Sequence, residues 1–217
     1  RRSEDIAMIT PNESKRSGFT LIEVMIAIGI MTVGSLGILS MHQALGQANR
    51  NALEMNTALA ITERWVERIE RDSLTWTEAG QASASLTGTT YLSPLAATVT
   101  QTDWFRPAPV VDGESYGADH FGNDIALGEA AKFCTNIRLS WVRLGNSARV
   151  DIRTYWYREG HVLGAPTHPD WVAGNDFRNS DCDANDADGW GLSTGMVPNV
   201  DVIHASTVVR WLRREGT

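Results

Sequence analysis

The sequence predicts an α+β chain in which one long N-terminal α-helix, apolar in its first half and amphipathic in its second, packs on an antiparallel β-sheet head. Three observations lead there. An apolar run fills residues 19–41; beyond it apolar residues recur at alternating spacings of three and four; and after Phe133 apolar and polar residues alternate.

The first element is FTLIEVMIAIGIMTVGSLGILSM, Phe19 to Met41, which is 23 residues with one ionisable side chain, Glu23. At the rise of an α-helix this is about 35 Å, enough to cross a bilayer core. Lys15 and Arg16 precede it directly, and the positive-inside tendency keeps such residues cytoplasmic and sends the C-terminal bulk outward. A secretory signal fits poorly, because its apolar core is shorter and its cleavage site follows that core. A carboxylate beside lipid costs about 2.5–3.5 kcal/mol on insertion scales and usually marks a functional pairing. The plain alternative is an interfacial Glu favoured by the positive end of the helix dipole.

The second half of the helix follows without a break. Leu45, Ala48, Ala52, Met55, Leu59, Thr62, Val66 and Ile69 fall along one stripe, while Gln43, Gln47, Asn51, Glu54, Glu63, Arg64, Glu67, Arg68, Glu70 and Arg71 occupy the other faces. Glu67 and Arg71 are favourably spaced, but Glu63 with Glu67 and Arg64 with Arg68 are like-charged. The stripe is expected to pack on the chain's own sheet. Ala48, Ala52 and Thr62 would make a weak coiled-coil seam.

Residues 73–131 read as irregular, with short strands expected near Thr89–Leu92 and Ala97–Thr102, and with Trp76, Trp104 and Phe105 pinning the loop to the core. Ile137, Leu139 and Trp141 alternate with Arg138, Ser140 and Val142. Gly145-Asn146 supplies a turn, and Val150, Ile152, Thr154 and Trp156 alternate with Asp151, Arg153, Tyr155 and Tyr157. That pattern predicts a hairpin. Val200–Arg213 is expected to add a final strand. The arginines that alternate on these strands make a solvated outer face or a subunit contact.

The segment KRSGFTLIEVMI, Lys15 to Ile26, resembles the leader and cleavage site of type IV prepilins, with the basic residues, the glycine, the aromatic and the acid in register. The resemblance covers about a dozen residues. It implies a pilin-like fold, cleavage by prepilin peptidase between Gly18 and Phe19, N-methylation of Phe19, and a Glu23 that becomes the fifth mature residue. The carboxylate of Glu23 would then compensate the terminal amine of a neighbouring subunit during assembly; the physics agrees, since an unpaired ammonium and an unpaired carboxylate are each costly in lipid. The expected parts are a cleaved leader (1–18), a transmembrane or filament-core half-helix (19–41), an amphipathic half-helix (42–72) and a β-rich globular head (73–217). Residue 1 is Arg, and Met8 is the candidate initiator. Major pilins commonly carry a proline within the apolar half-helix, whereas here Gly29, Gly34 and Gly37 occur and no proline does. The stretch ALAITERWVERIERD, Ala58 to Asp72, resembles minor pilins of the PilV type.

The implied function is that of a minor pilin, with other major and minor pilins, prepilin peptidase and an inner-membrane assembly platform as partners. Its implied location is the inner membrane with a periplasmic head, then a filament at the cell surface. A type II secretion pseudopilin and a tip-displayed adhesin or uptake subunit are the alternatives. Composition sets further limits: 42% of residues are hydrophobic and 21% charged, as in a globular chain. The formal net charge of -7 becomes -8 without residues 1–18, where Arg1, Arg2, Lys15 and Arg16 outnumber Glu4, Asp5 and Glu13 by one. Such an acidic balance argues against nucleic acid as a partner. The histidines lack metal-ligand spacing and no nucleophile motif occurs, so catalysis is not expected.

Two cysteines are present, Cys134 and Cys182. In an exported head they form one disulfide, or else they are two buried thiols. Around the second, NSDCDANDADGW places Asp181, Asp183, Asn185, Asp186 and Asp188 at near-alternating positions, which suits oxygen ligation of calcium. The match to an EF-hand loop is poor, since Asp186 stands where the loop requires Gly and Leu192 where it requires Glu. A solvated acidic loop is the plainer reading. No other cofactor is expected.

Overall fold

A computed structural model describes residues 18–76, 86, 88–107, 114–126, 129–157, 171–172, 176–177, 182 and 200–211. Its elements are α1 (Leu21–Trp76), β1 (Gly117–Ala118), β2 (Phe133–Arg143), β3 (Ser147–Tyr157), β4 (Trp171–Val172), β5 (Asp176–Phe177) and β6 (Val200–Arg210). The chain divides into two compact units, residues 1–46 and 47–217.

In the first unit α1 begins at Leu21 and carries an apolar stretch long enough to cross a bilayer. Every described side chain from Gly18 to Arg50 is exposed. Thr32 and Ser35 return their hydroxyls to the carbonyls of Ile28 and Met31, 2.8 Å each, so these polar side chains are satisfied within the helix itself.

In the second unit the C-terminal part of α1 lies against a four-stranded antiparallel sheet of order β1-β2-β3-β6, with β4 and β5 forming a separate pair. The β2–β3 hairpin closes through Leu144, Gly145 and Asn146, where Gly145 has a φ of 66° and the Asn146 N–H donates to the Arg143 carbonyl at 2.9 Å. A three-residue loop with glycine in the left-handed region suits the strand twist, and the register shifts between Trp141 and Arg143. One sheet face presents Ile137, Leu139, Val150 and Ile152 to the core with Ala58, Ile61, Trp65 and Ile69 of α1. The Thr62 hydroxyl reaches Thr154 at 2.8 Å across this layer.

Three expectations change. The buried face of α1 is Ala58, Ile61, Thr62, Trp65, Arg68 and Ile69, whereas Leu45, Met55 and Leu59 of the predicted stripe are 48%, 58% and 46% exposed. The predicted stripe meets this face at Thr62 and Ile69 and misses Trp65 and Arg68. The face that packs also carries polar residues buried by pairing: Glu54 with Lys132 at 2.9 Å, and Arg68 with Asp124. Second, Thr89–Leu92 and Ala97–Thr102 are turns and irregular backbone with isolated bridges at Gln101 and Phe105 to Ser140 and Ile137. The first segment is held instead by Asp72, whose carboxylate accepts from the N–H groups of Thr90, Tyr91 and Leu92 at 2.7, 2.8 and 3.2 Å. Third, α1 runs to Trp76, four residues beyond the expected end, and Trp76 stacks edge-on against Trp141 at 5.9 Å.

Candidate functional site: the start of the apolar helix

The residues expected to carry function fall at the beginning of α1. Gly18, Phe19 and Thr20 are irregular and Leu21 is the first helical residue, so Thr20 stands at the N-cap and Glu23 at the third helical position. The Thr20 N–H donates to Glu23 Oε2 at 2.9 Å and the Thr20 hydroxyl donates to the same oxygen at 3.1 Å. The Glu23 N–H lies 3.4 Å from the Thr20 hydroxyl oxygen. This is a capping box, in which cap and acid each satisfy a backbone donor that the helix leaves open. Its signature, Thr-x-x-Glu before an apolar run, stands in the sequence as TLIE, where the lone charge is the more conspicuous feature. Phe19 is 86% exposed. A cut before Phe19 would put a new ammonium one residue ahead of Thr20, close in sequence to a carboxylate already turned toward the chain start.

Beyond Glu23 the described helix offers no acid or base until His42. Gly29, Gly34 and Gly37 have no other atoms within 4 Å of where a Cβ would sit, so within one chain they leave open ground for close helix approach.

In the second unit Cys134 on β2 and Cys182 are bonded to each other, with their Cα atoms 5.3 Å apart. Asn136 adds a second tie, donating from Nδ2 to the Cys182 carbonyl at 2.8 Å while its Oδ1 accepts from Arg153 Nε at 3.1 Å. Asp181, Asp183, Asn185, Asp186 and Asp188, the candidate calcium ligands, lie outside the described residues, as do Lys15 and Arg16.

The loop before β2 is organised by charge. Arg68 is buried and pairs with Asp124, with Glu114 at 3.6 Å from its Nε, and its guanidinium lies over Trp65 at 4.7 Å. Tyr91 donates to Glu114 at 2.6 Å, and burial, then this acceptor, raises its phenol well above the ordinary tyrosine range, so it remains neutral. Asp119 closes the turn that follows β1. Desolvation pushes its carboxyl upward, but donation from Asn123, Phe121 and Gly122 outweighs this and holds it below the usual carboxylate value. Gly122 is required there: its φ is 82° and a Cβ would meet the Thr57 methyl at 3.0 Å.

Residues 14–39 match the family model described as the prokaryotic N-terminal methylation motif. The matched span contains Gly18, Phe19, Thr20 and Glu23 together with most of the apolar run. The match supports a type IV pilin-like prepilin, a pilin or pseudopilin that prepilin peptidase processes and that associates with the membrane and with other pilins. Proteins of that kind are structural. The α+β arrangement, in which the C-terminal part of a long helix packs on a four-stranded antiparallel sheet and its N-terminal part is apolar, is of the pilin-like type. Neither curated proteins nor solved structures yield a match to the chain.

Proposed function

We propose that this chain is a minor pilin of a type IV pilus, cut between Gly18 and Phe19, methylated on Phe19, and incorporated in the filament or priming its assembly. One observation carries the reading. A lone carboxylate stands five residues past the cleavage junction, at the mouth of a helix whose described side chains from Gly18 to Arg50 are all exposed on the single chain. Such a helix needs an apolar environment, first lipid and then a bundle of like helices. Glu23 supplies the polar partner for the amine that processing creates. The likeness of Ala58–Asp72 to PilV-type minor pilins favours the pilus over the secretion pseudopilin. The head would face the periplasm before assembly and the cell exterior after it.

Three measurements test this. N-terminal mass spectrometry of the mature chain should find N-methylated Phe19, and an intact residue 1–18 segment on the membrane-extracted protein would refute processing. Glu23→Ala should lower recovery of the chain in sheared surface filaments by at least about tenfold, as expected when a pairing in lipid is lost. Unchanged recovery would remove the assembly role. Loss of secreted protein with normal filaments, on deletion of the gene, would move the chain to the pseudopilins.

A further inference from the structure

The helix and the sheet of the second unit turn oppositely charged surfaces to solvent. On α1, Met55, Leu59, Glu63, Glu67 and Glu70 recur at spacings of four, four, four and three, which keeps them along one side of the helix. All five are exposed, and they lie away from the packed side formed by Ala58, Ile61, Trp65 and Ile69. Glu63 and Glu67 repel each other at that spacing. The arginines of the same stretch are drawn elsewhere, Arg64 to Asp124 and Arg71 to Glu114, 3.9 Å each. Glu70 accepts from the Thr207 hydroxyl at 3.4 Å, a neutral donor that leaves its charge in place.

The outer face of the sheet has the other sign. Arg149 pairs across the strands with Val208, and Ser147 with Arg210. By the alternation of a strand these positions lie opposite Val150, Ile152 and Val209, which are core. The Arg149 side chain is 52% exposed and Val208 is 48% exposed, and Arg210 is exposed as well. At the hairpin end beside them Arg143 is exposed, and Val142 and Leu144 are each 60% exposed. The nearby acid, Asp151, already accepts from Arg149 at 2.7 Å and from Arg138 at 3.0 Å. Each surface is therefore an apolar patch with one sign of charge: methionine and leucine beside three carboxylates on the helix, valine and leucine beside three guanidiniums on the sheet.

We propose that these two surfaces are complementary halves of one contact, in which the outer sheet face of one head receives the exposed helix side of a second copy of this chain. The charges decide the occupant and the orientation. Helix side against helix side would set carboxylate against carboxylate, and sheet against sheet would set guanidinium against guanidinium. Only sheet to helix pairs opposite signs. Such a contact joins two different patches, so it leaves one patch of each kind open at the ends and can repeat along a row of heads. Copies stacked this way are related largely by translation, which keeps their α1 helices parallel. Exposed ion pairs are individually weak, so the contact works through their number and through the apolar side chains that it removes from water. It depends on neither the processing of residue 18 nor the role of Glu23.

A charge swap on the full-length chain in non-ionic detergent tests this, read by sedimentation equilibrium. The wild type should self-associate at about 50 mM salt and at least about tenfold more weakly at about 500 mM. One variant carries Glu63→Lys, Glu67→Lys and Glu70→Lys; the other carries Arg143→Glu, Arg149→Glu and Arg210→Glu. Each alone presents like charges on both surfaces and should associate at least about tenfold more weakly than the wild type. An equal mixture of the two restores opposite signs at every junction and should regain the association. All six positions are exposed, so both variants should keep the wild-type circular dichroism spectrum; should either fail to, Glu63→Gln with Glu67→Gln takes its place and should weaken association in the same direction. Glu23→Ala, which lies outside both surfaces, should retain the salt-dependent association, so that loss of the assembly role and loss of this contact are read separately. A wild type that is monomeric at low salt, or folded variants whose mixture associates no better than each alone, overturns the proposal.

Discussion

At the scale of single residues, the proposed assembly asks one carboxylate, that of Glu23, to serve two partners. In the isolated chain one of its oxygens accepts from the Thr20 N–H and hydroxyl. A neighbour's amine must either share that oxygen, take the other, or displace the cap. Thr20→Val removes the hydroxyl and should cost about 1 kcal/mol of local helix stability, read as faster amide exchange at Leu21–Val24 in detergent. Glu23→Gln separates the roles differently, since it can still accept from Thr20 but carries no charge; helix exchange should hold while filament recovery falls. Another residue-scale commitment is Lys132, 1% exposed, which reaches Glu54 at 2.9 Å and the Tyr157 carbonyl at 3.0 Å, while Glu54 Oε2 is buried without a hydrogen-bond partner. Lys132→Met would strand a buried carboxylate and should lower unfolding stability by about 3–5 kcal/mol. Adding Glu54→Leu should restore much of that loss in urea denaturation.

At the scale of elements, the helix, the hairpin and the last strand were legible because each depends on a local period. Ile137, Leu139, Val150 and Ile152 alternate strictly and are core. The rotation of α1 about its axis was not legible. Arg68 reads as a solvated charge beside like-charged Arg64, yet it is 7% exposed, because Asp124 and Glu114, more than forty residues later, come back to meet it. Partners so distant leave no trace in a periodic pattern. For the same reason the loop at Thr89–Leu92 read as a strand: its amide donors go to Asp72, not to a neighbouring strand. At the candidate site the order of Gly18, Phe19 and Glu23 was legible, and their geometry was not. The corrected face makes a prediction. Trp65, fully buried and edge-on to Tyr91 at 5.3 Å, should cost about 3–5 kcal/mol on substitution by Ala. Leu59→Ala should change head stability by no more than about 0.5 kcal/mol, as measured by thermal unfolding of the two variants side by side.

At the scale of the whole molecule, acid should weaken the head in two stages. The His204 pKa is lowered by folding, so the unfolded chain binds the extra proton and stability declines as pH falls below the ordinary histidine value. The lowered Asp119 carboxyl contributes stability that is present above the ordinary aspartate value and is lost as pH falls through its folded value. His204→Gln should flatten the upper part of a Tm-against-pH curve and Asp119→Asn the lower part. The disulfide between Cys134 and Cys182 closes a separation of 48 residues, and replacing both with Ala should cost about 2–4 kcal/mol. The fully exposed first stretch of α1 has a different energetic consequence. Acyl chains and leucine side chains solvate a methyl group about equally well, so moving that stretch from bilayer to fibre is close to a zero-sum exchange for its hydrocarbon. On the proposed assembly, the direction of traffic between the two reservoirs is then set by the few groups that are not hydrocarbon, which gives one carboxylate leverage over a 23-residue apolar run.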